Sequence, residues 1–366
     1  RNECFMWKFV FSCFLINLFQ NFSLLNFNTL KIDASARFFI FINNYDDLNA
    51  IFSDKNLNKF DKFFLGAGSN ILFTKNFDGI VLKNNLKDIT IIDENIDEII
   101  LEWYRGLLWY VIVRLCVNNN RAGVKNLAYM HGTNGSAPIQ YIGAYGVEQS
   151  SSFISLDAFS FDNSKELKFN NNDCNFNYRY SIFKNDKFKN IFIKKVRYKL
   201  NKNFKANINY NDLKKYFEKS DAGKLKLVDV YNAVCEIRQN KLPEPSKIPN
   251  AGSFFKNPII TIEEFDKISY HFQGSGYYKL NEKQIKISAA YLIEKAGFKG
   301  YCKGDVCVYD KHSLIICNKG NAKGEEIVNF ANEIIEIIKE KFYITLEPEV
   351  IYIWVMFKKL WNYFKE

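Results

Sequence analysis

Leu65-Gly66-Ala67-Gly68-Ser69-Asn70-Ile71-Leu72-Phe73 sets a run of small and polar residues between two apolar ones. Such a stretch leaves one strand, turns and enters another. Its small residues tolerate positive φ and let backbone N–H groups converge on a phosphate. By itself it reads equally well as a tight turn. The fingerprint Gly-x-Gly-x-x-Gly, opening a helix, needs a third glycine that is absent here. A second loop follows, Gly132-Thr133-Asn134-Gly135-Ser136-Ala137-Pro138-Ile139-Gln140, and then Gly143-Ala144-Tyr145-Gly146. Its glycines, Thr133 and Ser136 offer another phosphate cradle, and Gln140 can reach a ring edge. Two such loops in one chain favour a dinucleotide cofactor over two unrelated turns.

Around these loops the chain runs to 366 residues, enough for two or three domains. Apolar residues at 48% and charged ones at 25% describe an ordinary globular protein. The net charge of +10 comes from scattered lysines without a recognition motif. It speaks against nucleic acid and for a modest positive field around anionic small molecules. No cysteine pair has Cys-x-x-Cys spacing and there are three histidines, so no metal is expected. The cysteines read as reduced, mostly buried thiols of a cytoplasmic protein.

Arg37–Ile42 and Lys62–Leu65 read as strands, and Tyr45–Phe52, entered through Asp46-Asp47, as a helix. Ile89–Ile92, Glu98–Glu102 and Ile191–Leu200 add strands, with a helix near Tyr110–Asn118. The cluster Lys241-Leu242-Pro243-Glu244-Pro245-Ser246-Lys247-Ile248-Pro249 reads as a domain linker. Beyond it come a helix near Ala289–Ala296 and strands near Val306–Tyr309 and Ser313–Cys317. A long helix follows from Gly324 to Lys341, with Ile327, Phe330, Ala331, Ile334, Ile337 and Ile338 as a core stripe. The Phe- and Leu-rich residues 5–19 lack the cleavage site of a signal peptide. Because the chain opens on Arg1, residues 1–20 read as a frame translated from upstream of the true start. The aromatic and basic tail 354–366 reads as a short surface helix or another such artefact.

Three further segments carry chemistry. Ala251-Gly252-Ser253-Phe254-Phe255-Lys256-Asn257-Pro258 sets a hydroxyl beside an apolar wall, and Leu346-Glu347-Pro348-Glu349-Val350 turns a carboxylate partly inward. In Tyr178-Arg179-Tyr180-Ser181 a permanent cation sits among aromatics, suited to two-point binding of a carboxylate. A proton donor, an acid and a fixed cation can stabilise and then protonate a carbanion beside a carboxylate. Taken singly, each also has an ordinary reading: Ser253 as a turn residue, Glu349 as a strand-end carboxylate, Arg179 as a surface arginine over Tyr and Phe.

From about Asn21 to Ile353 these segments, together with Phe27-Asn28-Thr29-Leu30, Cys174 through Lys184 and Lys241-Leu242-Pro243, stand in a familiar order. The chain resembles the UDP-N-acetylenolpyruvoylglucosamine reductase (MurB) family. The resemblance implies an α+β fold: an FAD-binding fold of the vanillyl-alcohol-oxidase (PCMH-type) superfamily in two subdomains, 21–86 and 87–243. A C-terminal α+β substrate domain, 244–353, follows, with 1–20 and 354–366 outside the family. It implies NADPH-dependent, FAD-mediated reduction of UDP-N-acetylglucosamine enolpyruvate to UDP-N-acetylmuramate in peptidoglycan synthesis, by a cytoplasmic, non-membrane monomer.

On the resemblance, Gly66, Ala67, Gly68, Ser69, Asn70, Gly132, Thr133, Gly135, Ser136, Gln140, Gly143, Tyr145 and Gly146 hold the flavin. Arg179 and Glu349 stabilise the enolate and Ser253 protonates it. Tyr210, Lys241 and Asn257 fall where the family contacts the UDP part, and His312 where it carries a glutamine. Departures are Tyr104-Arg105-Gly106 for a small-residue turn, Tyr141 for Asn and Tyr180 for Asp. The first predicts a reshaped turn and weaker flavin retention, since Tyr and Arg dislike positive φ. Another flavin-dependent oxidoreductase of the superfamily and a decayed, weakly active copy are the alternatives. The colour of the purified protein separates the last from an enzyme.

Overall fold

The computed structural model describes residues 6–11 and 14–353. The expected tail 354–366 and the first five residues lie outside that range, as do Cys4 and Cys13. Compactness divides the chain into two units, one of 1–22, 37–67 and 78–240, the other of 23–36, 68–77 and 241–366. This differs from a division at 86 and 243 in two respects: there is no break at 86, and two early segments, 23–36 and 68–77, belong with the C-terminal unit. The break at Lys241 falls where the proline cluster begins.

The first unit holds two five-stranded sheets. In one, the order is Met6–Phe11, Phe14–Ser23, Ser35–Ile42, Phe77–Asn84 and Lys62–Leu65. In the other, Lys165–Asn170, Phe153–Ser160, Ile191–Asn201, Glu98–Tyr104 and Ile89–Glu94 lie antiparallel. Helices Asp46–Ser53 and Trp109–Asn118 form where the sequence places them. Alternating burial along Ser35–Ile42 puts Ile40 and Ile42 into a core with Leu48, Ile51, Phe159 and Phe192. A second core gathers Trp103, Trp109, Val113 and Tyr198 with Val230 and Val234 of the helix Leu227–Lys241.

In the second unit a four-stranded sheet runs Asn250–Ser253, Ile315–Asn318, Val306–Val308, Cys302–Lys303. A three-stranded sheet orders Ile259–Thr261, Gln284–Ile287 and Tyr277–Lys279. Helix Gly324–Phe342 buries Ile327, Phe330, Ala331, Ile334, Ile335 and Ile338. Ile335, not Ile337, completes the stripe, because it lies one turn from Ala331 on the inward face. The motif Phe27–Leu30 is a brace. Asn28 is buried and bonds Leu24 O and Ile32 O at 2.8 and 3.0 Å. Thr29 N donates to Gly68 O and Thr29 O accepts from Asn250 N, each at 3.0 Å.

The expectation of wholly reduced cysteines is corrected. Cys302 and Cys307 face each other across the hairpin closed by Lys303 and Val306, Cα atoms 4.1 Å apart, and form a disulfide. Cys116, Cys174 and Cys317 are buried thiols and Cys235 is half-buried.

Candidate functional site

In the first unit the strand Lys62–Leu65 delivers Gly66, whose carbonyl accepts from the Lys83 ammonium. A methyl group at Gly66 would lie 3.0 Å from Thr133 Oγ1 and 3.5 Å from Ser136 Cβ. The two glycine-rich loops therefore touch, with the hydroxyls of the second facing the glycine of the first. The second loop is pinned by its backbone: Asn134 N donates to Leu107 O at 2.7 Å and Gly135 N to Arg105 O at 3.1 Å. Thr133 N and Ser136 Oγ bond at 3.1 Å, closing the turn into the short helix Ala137–Gln140. Gln140 Oε1 is buried without a hydrogen-bond partner among the described residues. A buried acceptor of that kind calls for a donor. The second loop's amides from Thr133 to Ala137 are committed to protein acceptors, and the observation that fits a flavin is the Gln140 acceptor, which suits a ligand presenting a donor edge.

The turn expected to reshape does so without strain. Neither Tyr104 nor Arg105 takes positive φ, so the ground for weaker flavin retention is removed. Tyr104 continues its strand and stacks on Tyr45 at 5.8 Å. Arg105 is only 2% exposed, with Phe192 4.7 Å from its guanidinium carbon, and donates to Ile193 O at 3.3 Å. Its stem fills the space over Gly135, where a Cβ would come within 2.1 Å of Arg105 Cγ.

Gly143-Ala144 pairs with Val147-Glu148 around Tyr145 and Gly146, both left-handed at φ 50° and 74°. That is the hairpin turn matching strand twist. The Tyr145 ring edges Tyr210 at 5.1 Å. Burial, ahead of neighbouring charges, pushes the Tyr145 hydroxyl up to about 12. Arg179 occupies another tight turn, between Asn177 and Tyr180, at φ 53°. Backbone strain of this sort in a non-glycine residue costs about 1–3 kcal/mol and gathers at functional sites. Its Nη2 donates to Gly143 O at 3.4 Å and Tyr178 lies 5.4 Å from its guanidinium carbon. Tyr180, standing where an acid was expected, is exposed. Glu148 and Arg179 both flank Gly143, at 3.2 and 3.7 Å from where its Cβ would lie. Tyr141 donates to the Glu148 carboxylate and bonds Ser150 Oγ at 2.7 Å.

Arg238 was missed by the sequence reading. It donates through Nε to Tyr129 O at 3.0 Å and also bonds Tyr145. Burial pulls its guanidinium down, and the like charge of Arg179 pulls in the same direction. The available signal was its position three residues before Lys241, on one face of a helix.

In the second unit Ser253 and Glu349 come together. Gly252, at φ 74°, shifts the strand register between Asn250 and Ser253. Glu349 N then donates to Phe254 O at 2.8 Å and Lys256 N to Glu347 O at 2.9 Å, with Phe255 opposite Pro348. Ser253 is thus one register step from Glu349, and both are half-buried beside the fully buried Phe254 and Phe255. Asn70 holds this segment from the glycine-rich loop, donating to Glu349 O at 3.3 Å and accepting from Ile351 N at 3.1 Å. Asn257 caps the helix Ala289–Lys295 by accepting from Ala289 N at 3.0 Å. His312 Nδ1 accepts from Leu314 N at 3.3 Å, and Lys241 is exposed. Among the described residues no cluster could hold a metal ion and no helix is long and apolar enough to cross a membrane.

Two family models match the chain. One, described as the UDP-N-acetylenolpyruvoylglucosamine reductase C-terminal domain, covers residues 244–353; the other, an FAD binding domain, covers 36–163. A UDP-N-acetylenolpyruvoylglucosamine reductase of Flavobacterium johnsoniae is 40% identical over 90% of this chain and 98% of its own length. One from Buchnera aphidicola subsp. Baizongia pistaciae is 39% identical over 90% of this chain and 97% of its own. The crystal structure of the UDP-N-acetylenolpyruvylglucosamine reductase of Thermus caldophilus superposes with a TM-score of 0.60. It covers 95% of this chain and 99% of its own at 17% identity, a likeness of fold. The α+β architecture with its FAD-binding domain is as the sequence led one to expect.

Proposed function

Because the chain belongs to the UDP-N-acetylenolpyruvoylglucosamine reductase family, we propose that Arg179, Ser253 and Glu349 carry its chemistry. The enzyme is an NADPH-dependent flavin oxidoreductase that reduces UDP-N-acetylglucosamine enolpyruvate to UDP-N-acetylmuramate for peptidoglycan synthesis. FAD supplies the redox chemistry, relaying hydride from NADPH to the terminal enolpyruvyl carbon. Gly66, Ala67, Gly68, Ser69 and Asn70 would hold it with Gly132, Thr133, Gly135, Ser136, Gln140, Gly143, Tyr145 and Gly146.

Every other step falls to side chains. The Arg179 guanidinium, braced on Gly143 O, binds the enolpyruvyl carboxylate and spreads the charge that develops beside it. Glu349 assists from its half-buried position, and the Ser253 hydroxyl donates the proton to the α-carbon. Tyr210, Lys241, Asn257 and His312 take the nucleotide-sugar. Asn257 does so through its amide nitrogen, its oxygen being committed to Ala289. The reaction is placed in the cytoplasm, by a monomer acting on a small molecule.

The observation that carries this reading is the single register step between Ser253 and Glu349 beside a buried aromatic pair. Ser253→Ala tests it. NADPH should bleach the flavin anaerobically at near the parental rate, since that half needs no proton donor. Recovery of the colour with the enolpyruvyl sugar should slow by about 10²–10⁴-fold. Parental recovery would remove Ser253 from the mechanism, and failure to bleach would move it to the cofactor site.

A further inference from the structure

Three cysteines stand in register on three neighbouring strands. Cys302 pairs with Cys307, and Cys307 pairs on its other side with Cys317. Laterally paired residues project from the same face of a sheet, so the three sulfurs form a row. Each neighbour of Cys307 is a stereochemical candidate for bonding it. Main-chain bonds Lys319 N to Asp305 O and Tyr309 N to Ile315 O, both 2.8 Å, make Cys307 and Cys317 a wide pair, Cα atoms about 5.5 Å apart. That spacing also suits a disulfide. The structure nevertheless bonds Cys307 to Cys302.

Exposure distinguishes the two neighbours. Cys302 is exposed on the edge strand, and the Lys319 ammonium lies 4.0 Å from its sulfur. A nearby cation favours the thiolate, the reactive form. Cys317 is fully buried. Burial pushes its thiol up to about 12, leaving at pH 8 a thiolate fraction on the order of 10³ below an ordinary cysteine's.

We propose that Cys302 and Cys307 form a reversible thiol–disulfide exchange site for low-molecular-weight thiols of the glutathione class, with Cys302 as the reacting sulfur and Cys317 a bystander. The Cys302 thiolate attacks one sulfur of oxidised glutathione, forming a mixed disulfide and releasing one glutathione thiolate. Cys307 then attacks the Cys302 sulfur, expels the second glutathione thiolate and closes the ring. Two protein thiols are oxidised and one glutathione disulfide is reduced to two thiols. The reverse sequence opens the bond.

Trypsin separates the row, because Lys299, Lys303, Lys311 and Lys319 leave each cysteine in its own peptide: 300–303, 304–311 and 312–319. The flavin-loaded protein, reduced with dithiothreitol and desalted, is incubated at graded ratios of reduced to oxidised glutathione, quenched with alkylating reagent and mapped by mass spectrometry. The expected result is a linked 300–303/304–311 pair that grows with the oxidised fraction and disappears on adding dithiothreitol to the folded protein. Peptide 312–319 should stay singly alkylated after unfolding. Cys302→Ser should abolish all linkage while leaving turnover unchanged. A bond that opens only in denaturant, a 304–311/312–319 linkage in the parent, or a mixed disulfide that persists on Cys302 would each overturn the proposal.

Discussion

Lys125 has no carboxylate to answer its charge among the bonds described, and it is only 6% exposed. Its ammonium lies 5.2 Å from the Phe204 ring centre, and burial pulls its pKa down to about 8. The unfolded chain holds that proton up to about 10.4. Between the two values the unfolded state binds more protons, so this residue's contribution to stability rises with pH. Below about 8 its full penalty remains. Lys125→Met should therefore stabilise the protein at pH 7 by on the order of 1–2 kcal/mol, with the advantage shrinking toward pH 10. Paired chemical denaturation at the two pH values measures it. An equal gain at both would show that packing, not charge, was responsible.

Strands hold a different lesson. Residues 14–20, read as part of an extension outside the family, make up most of the strand Phe14–Ser23, which lies in the sheet beside Ser35–Ile42. Leu18 is buried, Phe22 stacks on Phe39 at 4.1 Å and Phe19 edges Phe41 at 5.9 Å. Removing residues 1–12 takes away the paired edge strand Met6–Phe11 but spares these contacts, and should lower the melting temperature less than a deeper cut. Removing residues 1–23 uncovers an edge strand and several aromatic faces. That variant should melt lower and bind a hydrophobic dye. Identical melting of the two variants would mean that the strand contributes nothing to the fold.

For the molecule as a whole the net charge of +10 meets a cofactor donor and a nucleotide-sugar that are both anions. Steering by such a field fades once the Debye length drops from about 30 Å at 0.01 M salt to about 8 Å at 0.15 M. The value of kcat/KM for NADPH should fall several-fold across that range while kcat holds. A flat profile would confine recognition to short-range contacts.

Sequence alone determined several elements, since burial periodicity is local: the strand Lys62–Leu65, the helix ending at Asn118 and the helix from Gly324 were legible, whereas the helix Leu227–Lys241 and the strands Phe77–Asn84 and Phe153–Ser160 were not. It also determined the family, because motifs in order survive without coordinates. What only the tertiary structure decided depends on groups far apart in the chain. Arg105 reads as a poor turn residue until Gly135, thirty positions on, is seen to leave room for its stem. Arg179 at positive φ contradicts its own preference and is held there by its turn. Arg238 belongs to no sequence motif, and only the fold ties it to the Tyr129 carbonyl and the Tyr145 hydroxyl. Cys302 and Cys307 read as thiols until a hairpin places them opposite each other. In each case the deciding term is burial or contact with a distant residue, and no local pattern encodes it.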